Sequence, residues 1–194
     1  MSKELPRVAI YLHSIFNGGI DRIMVNLSRS LSERGLKVDL VLDSPGLFHL
    51  WDWSPEVRIV DLKASKNAVT RLSKLVGYLR EEKPVAILSA SHFPNEISIL
   101  AKRLFGLPTR VIVSDQNTIS VSTKHKTGGL QRWTPLTAKL LYPWADAIVV
   151  PSHGLAKDLA DLIGLPVERI QVIYNPAIRP EILEKAKEPL DHPW

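Results

Sequence analysis

The chain has 194 residues, 45% of them hydrophobic and 23% charged, with a formal net charge of +5. That balance supports one sizeable buried core and excludes a disordered chain, and no apolar run approaches the ~18 residues of a membrane-spanning helix. The absence of cysteine excludes a disulfide scaffold, a Cys-ligated zinc site and a thiol nucleophile.

The apolar pattern alternates between short β-rich runs and helix-period stretches. Arg7 to His13 is continuous and β-branched, as a buried strand is, and the run is too short for a secretory signal. After a loop, Ile20, Ile23, Met24, Leu27 and Leu31 form one helical stripe that ends at Arg34-Gly35. Lys37 to Asp43 is the next strand, Asp43 to Gly46 a turn, and Val57 to Leu62 a short strand. Val69, Leu72, Val76 and Leu79 mark a second helix that stops before Pro84. Val85 to Ser89 is a strand. Ile97, Leu100, Ala101 and Leu104 mark a helix closed by Gly106. Arg110 to Ser114 is a strand, and Asp115 to Gly129 a polar loop. Gln131 to Trp144 reads as helix, with Pro135 tolerable only in its first turn. Ala147 to Val150 is a strand, Ser152 an N-cap, and Leu155, Leu159, Leu162 and Ile163 the apolar face of the helix that follows. Ile170, Val172 and Tyr174 alternate in a last strand.

Continuous apolar strands alternating with helices predict an α/β domain: a Rossmann-like, doubly wound parallel sheet over residues 1–176. Beyond Asn175-Pro176 the pattern changes to a short charged helix, Pro180 to Glu188, and ends on Trp194. Residues 177–194 are expected to begin a linker to a further domain.

Ligands of open parallel sheets bind beyond the carboxyl ends of the strands. In this sequence those ends carry His13, Ser14 and Asn17-Gly18-Gly19, then Ser89, Ser91, His92 and Asn95. After the later strands come Ser114 to Thr118, and Pro151-Ser152-His153. Such a rim suits a polar, hydroxyl-rich ligand, although polar residues also begin most loops. Gly18-Gly19 before a helix would let backbone and helix dipole approach a phosphate; a plain tight turn is the other reading. No Gly-x-Gly-x-x-Gly follows the first strand and no Walker A run exists, which argues against dinucleotide and P-loop sites. The six histidines, His49, His125 and His192 included, show no metal-ligand spacing, so no metal site is expected. Asp115 is a candidate base or sugar-hydroxyl contact, or a loop aspartate capping its own turn.

Between Ile97 and Ala145 seven Lys or Arg face a single acid, Asp115. A region of this charge attracts phosphates on nucleotides, lipids or nucleic acid, or is a solvated face. Lys124, Lys126, Arg132 and Lys139 alternate with Trp133, Leu136, Leu140 and Trp144. We expect the apolar members to face the core and the basic ones water; an anionic membrane surface is the other placement.

Four blocks then carry a resemblance across nearly the whole chain: Asn17 to Leu27, Ala145 to Leu159, Val167 to Pro176, and His192-Pro193-Trp194. Together they resemble the N-terminal half of a family 4 retaining glycosyltransferase, one half of a GT-B fold. The resemblance implies an acceptor-side domain whose partner, a C-terminal domain, binds the donor and carries a spaced pair of glutamates that no two glutamates of this sequence match. It implies that Gly18 and Gly19 contact the donor diphosphate. Ser114-Asp115-Gln116-Asn117 matches a segment that often reads Ser-Glu-His-Asn, so Gln116 replaces a frequent histidine and cannot shuttle a proton.

The resulting expectations are these. His92, Asn95, Asp115, Gln116, Asn117 and Ser152 contact the acceptor or the sugar, and no residue is assigned as catalytic. The substrates are a UDP- or GDP-linked nucleotide sugar and a sugar or lipid-linked acceptor, with no cofactor and no nucleic acid. The protein is cytoplasmic, with peripheral contact to an anionic membrane at its inner face, and the domain alone is inactive. The alternatives are half of a nucleotide-sugar epimerase of the same fold, or a non-catalytic domain binding anionic lipid or glycan.

Overall fold

A computed structural model describes residues 5–16, 18–47, 54–64, 67–120, 133–176 and 186–189. His49, Lys124 to Lys126, most of the 115–129 loop, His192 and nearly all of the 177–194 segment lie outside the described residues.

Seven strands form one parallel sheet in the order β3-β2-β1-β4-β5-β6-β7. They are β1 (Arg7–Leu12), β2 (Lys37–Leu42), β3 (Val57–Asp61), β4 (Ala86–Ala90), β5 (Arg110–Ser114), β6 (Ala147–Val150) and β7 (Ile170–Val172). The helices are α1 (Gly19–Glu33), α2 (Ala68–Glu82), α3 (His92–Phe105), α4 (Thr134–Leu141) and α5 (His153–Ile163), with α4 prolonged by a 3-10 turn, Tyr142–Trp144. This is the doubly wound architecture the alternation predicts. Among the described residues, no helix is long and apolar enough to cross a membrane.

The central strands present apolar side chains to both sides, as a sheet covered on both faces requires. Ile10, Leu12, Leu40 and Leu42 pack with Met24 of α1 on one face. Tyr11, Val41, Ile87, Val111, Val113 and Ile148 join the buried side chains of α2, α3, α4 and α5 on the other. The order reverses about β1, which lies between β2 and β4. A crevice therefore opens above the carboxyl ends of β1 and β4.

Asp39 lies inside β2 and is fully buried. Its carboxylate accepts hydrogen bonds from Arg7 Nη1 at 2.8 and 3.0 Å, Arg58 Nε at 2.9 Å, Arg58 Nη2 at 2.6 Å and the Tyr78 hydroxyl at 2.6 Å. Burial alone would raise its pKa; the Arg58 and Tyr78 hydrogen bonds and the charges of Arg58 and Arg7 outweigh it and hold the carboxyl below its usual range. This network ties β1, β2, β3 and α2 together near the amino ends of the strands.

Two helices, α3 and α5, stop on left-handed glycines, Gly106 and Gly164, while α2 stops on a left-handed Lys83. Gly164 takes a left-handed φ of 73° as the C-cap of α5, a region closed to most side chains. Three helical faces differ from the expected stripes. In α2 the buried side is Arg71, Leu75, Val76, Tyr78 and Leu79, while Val69 is 72% exposed. The helix turns this way because Arg71 and Tyr78 each reach an aspartate of the sheet, Asp43 and Asp39. α3 begins at His92, ahead of its expected apolar stripe, so His92 and Asn95 stand in its first turn rather than in a loop; Leu104 faces solvent. In α4 the buried residues are Thr134 and Ala138, Leu141 packs half-buried against the core, and Tyr142 follows in the 3-10 turn, while Trp133, Leu136, Leu140 and Trp144 point outward. The expectation that Trp133, Leu136, Leu140 and Trp144 face the core is therefore reversed. Small residues let α4 lie close to α3 and α5 in the helix layer.

Candidate functional site

A cleft of about 850 Å3 lies over the crevice between β1 and β4. Its walls come from the loop after β1, the first turns of α1 and α3, the segment after β5 and the start of α4.

The β1 wall is shaped by Gly46. This residue has φ +59°, and a Cβ there would collide with the Ile15 carbonyl and the Ser14 hydroxyl. Ile15 pairs with Gly46 in an isolated parallel bridge, and Leu47 N–H donates to the Ile15 carbonyl at 2.7 Å. The pairing holds Ser14 and Phe16 at the cleft wall.

Behind the same wall sits Asp43, fully buried, accepting from the Tyr11 hydroxyl at 2.6 Å. His13 Nδ1 lies 3.0 Å from its Oδ2, and Arg71 Nε 3.4 Å. With Nδ1–H donating to the carboxylate, His13 keeps Nε2 as an acceptor, and Arg71 Nη2 is 3.5 Å from it. The Arg71 guanidinium also lies 4.8 Å over the Phe93 ring. Arg71 and His13 both line the cleft. A buried guanidinium braced by a carboxylate and a ring is a fixed donor for a polar ligand.

The far wall holds Asp115. Burial pushes its carboxyl up to about 6; the Tyr142 hydroxyl and the His92 charge pull it down, and Glu96 pushes it up. Asn95 Nδ2 donates to the Ser114 carbonyl at 3.1 Å and to the Tyr142 hydroxyl at 3.0 Å, and lies 3.5 Å from Asp115 Oδ1. His92 Nε2 is 3.2 Å from Glu96 Oε1. Among the described residues Asp115 Oδ2, His92 Nδ1 and Asn95 Oδ1 are buried without a hydrogen-bond partner. Buried polar atoms without partners are costly, so a ligand bringing hydroxyl groups, which both donate and accept, would satisfy what the described residues leave open.

Ser91, between β4 and α3, lines the cleft with φ 79°, a left-handed conformation that strains a side-chain-bearing residue.

The expected site residues divide between cleft and surroundings. His92, Asp115, Gln116 and Asn117 line the cleft together. Asn95 is fully buried behind the wall and positions its neighbours rather than meeting solvent. Ser152 is exposed, caps α5 by accepting from Leu155 N–H at 3.2 Å, and is not part of the cleft lining. Gly18 and Gly19 are exposed at the start of α1, on the same strand edge; Asn17 lies outside the described residues. Gly18 N–H donates at 2.9 Å to Asp21 Oδ2, which also accepts from Phe16 N–H at 2.8 Å. One helix-start donor is thus already taken. A Cβ on Gly19 would meet nothing within 4 Å, so the fold itself does not demand that glycine.

Gln116 is held at both ends of its amide. Nε2 donates to Ser114 Oγ at 2.8 Å, and Oε1 accepts from Asn175 Nδ2 at 2.7 Å. Asn26 Nδ2 donates to the Pro176 carbonyl at 3.3 Å.

Sequence reasoning missed Arg71, Glu96 and the buried Asp43. Arg71 interrupts the apolar pattern of α2, the one local sign it offered. Its partner is 28 residues away in another element, and no spacing rule connects them.

Comparison with known proteins adds the lineage. The profile of Glycosyltransferase Family 4 matches residues 17–177. A Campylobacter jejuni N-acetylgalactosamine-N,N'-diacetylbacillosaminyl-diphospho-undecaprenol 4-alpha-N-acetylgalactosaminyltransferase is 28% identical over 195 residues, covering 95% of this chain and 52% of that protein. The chain thus spans about half the length of the curated relative. Among solved structures, Anabaena HepE in complex with UDP superposes with a TM-score of 0.67 at 15% identity, covering 94% of this chain and 49% of HepE. UDP-N-acetylglucosamine 2-epimerase from Rickettsia bellii superposes with a TM-score of 0.62 at 14% identity, covering 94% of this chain and 47% of that one. The shared fold is one half of GT-B, common to transferase and epimerase alike, and the family match separates them: the chain belongs to Glycosyltransferase Family 4.

Proposed function

We propose that this chain is the acceptor-side domain of a glycosyltransferase that moves a hexosyl group, with retention, from a UDP- or GDP-linked sugar to a sugar or lipid-linked acceptor. Residues 1–176 form the domain and 177–194 begin the linker to a donor-binding domain. The protein works on the cytoplasmic side, in peripheral contact with an anionic membrane.

The observation carrying this reading is the cleft above the β1–β4 reversal, with buried acceptor atoms on Asp115 and His92 and a fixed guanidinium, Arg71, opposite. Sugar hydroxyls donate and accept at once, so they match a pocket holding both kinds of group. In this reading Asp115 and His92 take hydroxyl hydrogens and orient the attacking oxygen. Arg71 and His13 fix the other side of the acceptor sugar, and Gly19 gives the donor diphosphate room at the helix start. Rate then comes from positioning and from stabilising the departing diphosphate. The relative's diphospho-undecaprenol acceptor is consistent with a lipid-linked substrate.

The test is transfer by the full-length protein from labelled UDP- and GDP-sugars to lipid-linked acceptors, with product anomer read by NMR. Labelled product of unchanged anomeric configuration, absent when residues 1–194 are supplied alone, supports the reading. Isomerised nucleotide sugar without acceptor would instead indicate an epimerase.

A further inference from the structure

The outward face of α4 has no counterpart elsewhere among the described residues. Trp133, Leu136, Leu140 and Trp144 recur at helical spacing and are 49%, 48%, 59% and 49% exposed. The inward positions carry Thr134 and Ala138, with Tyr142 following. A surface helix normally turns its large apolar residues inward; here Leu141 and Tyr142 do so, while the four residues of the stripe face out.

The stripe begins at Trp133, which lines the cleft, and ends at Trp144, toward the amino ends of the strands, where Asp146 accepts from Val111 N–H at 2.6 Å. It is therefore not confined to the cleft mouth. Leu104 and Phe105, at the carboxyl end of the adjacent α3, are also 64% and 42% exposed.

Cations accompany the apolar residues throughout. Arg103 lies 5.4 Å over the Trp144 ring and Arg80 5.3 Å over that of Phe105. Lys139 is exposed on α4 itself. Asp146 is ion-paired with Lys102 at 2.6 Å, and Asp115 is buried in the cleft, so neither offsets that charge at the surface. Indole rings and aliphatic stems at one depth, with guanidinium and ammonium groups around them, match the boundary between headgroups and acyl chains of an anionic bilayer. A second copy paired two-fold on this stripe would bring together two faces of the same positive charge.

We propose that the outward face of α4 and its 3-10 extension, Trp133, Leu136, Leu140 and Trp144 with Arg103 and Lys139, is the surface by which this protein lies on an anionic phospholipid bilayer. The cleft mouth beside Trp133 then opens at the membrane surface. The proposal rests on the peripheral-contact reading above and names its surface; it does not depend on sugar transfer.

The test is flotation of the full-length protein with vesicles of phosphatidylglycerol and phosphatidylcholine in equal parts, against phosphatidylcholine alone, at low and high salt. The Leu136→Ser/Leu140→Ser variant and the Lys139→Glu variant are compared with wild type. Flotation is expected only with the anionic vesicles, weakening with salt, and falling about tenfold in the double variant. The Lys139→Glu variant is expected to float less at low salt. Melting temperature should stay within about 10 °C of wild type, and transfer to a water-soluble acceptor unchanged, in both variants. No flotation on anionic vesicles overturns the proposal, as does flotation that the double variant leaves intact. A dimer that the double variant dissociates, without flotation, assigns the stripe to a second copy. A melting temperature lowered by the double variant by more than about 10 °C, beyond what two half-exposed leucine-to-serine changes in a helix bring, assigns it to a covering segment of the protein's own chain. Flotation that behaves as expected in a protein that transfers no sugar leaves this proposal standing and overturns the functional one.

Discussion

Asp39 and Asp115 are both buried in one parallel sheet, and the chain treats them in opposite ways. Asp39, toward the amino ends of the strands, receives two guanidinium groups and a tyrosine hydroxyl, so its charge is compensated within the fold. Asp115, at the carboxyl end of β5, has Tyr142 and Asn95 beside it and, among the described residues, no cation bonded to it and one oxygen without a partner. A carboxylate with its partners supplied belongs to the architecture. One left short of partners at the lip of a cleft adds nothing to stability that a neutral side chain would not add, and its use must lie elsewhere.

The largest test of that contrast is Asp39→Ala. It leaves Arg7, Arg58 and Tyr78 without their common acceptor, and urea unfolding should show a loss of about 3 kcal/mol. The value belongs at the low end for a broken buried pair because both arginines reach water.

Asp115→Asn should move stability the other way. The raised pKa means the folded state favours the protonated carboxyl. The stability this lends is full below pH 3.8, its ordinary value, and is lost as pH climbs through about 6. At pH 7 the ionised side chain is a burden, so the asparagine variant should be more stable by about 2 kcal/mol. Its unfolding free energy should lose the downward slope between those two pH values, while sugar transfer falls. If Asp115→Asn destabilised the fold as strongly as Asp39→Ala, the contrast would be broken.

Smaller changes sharpen it at the cleft lip. Ser91→Gly relieves a left-handed φ and should raise stability by about 1 kcal/mol, measured by thermal melting. Gly19→Ala places a methyl group in open space at the start of a helix, so stability should hold or rise by about 0.5 kcal/mol. Transfer should nonetheless fall, with the loss appearing as a raised KM for the nucleotide sugar.

The strands were legible because a parallel sheet buried on both faces demands continuous apolar runs, and those runs leave no competing reading. The rim followed, since the carboxyl end of each strand is set once the strand is. Helix facing was harder. In α4 the repeat of Trp133, Leu136, Leu140 and Trp144 reveals two faces but not which one meets the core; the packing of Thr134 and Ala138 in the helix layer decided it. In α2 two polar residues, Arg71 and Tyr78, turned the helix through partners on β2 and just after it. Both outcomes depend on contacts between distant elements, which periodicity along one helix does not encode. Asn95 was correctly placed on the rim side of the sheet, yet its depth depended on where α3 starts.

One quiet contact reaches furthest. Through Gln116 and Asn175, and again through Asn26 and Pro176, the outgoing backbone is moored to the segment after β5 and to α1 before it departs. Any lobe downstream inherits its compass heading from an amide beside the pocket. Altering Gln116 would thus be felt first as a change in the direction in which the chain leaves at Asn175 and Pro176, and only afterwards as a change in the pocket itself.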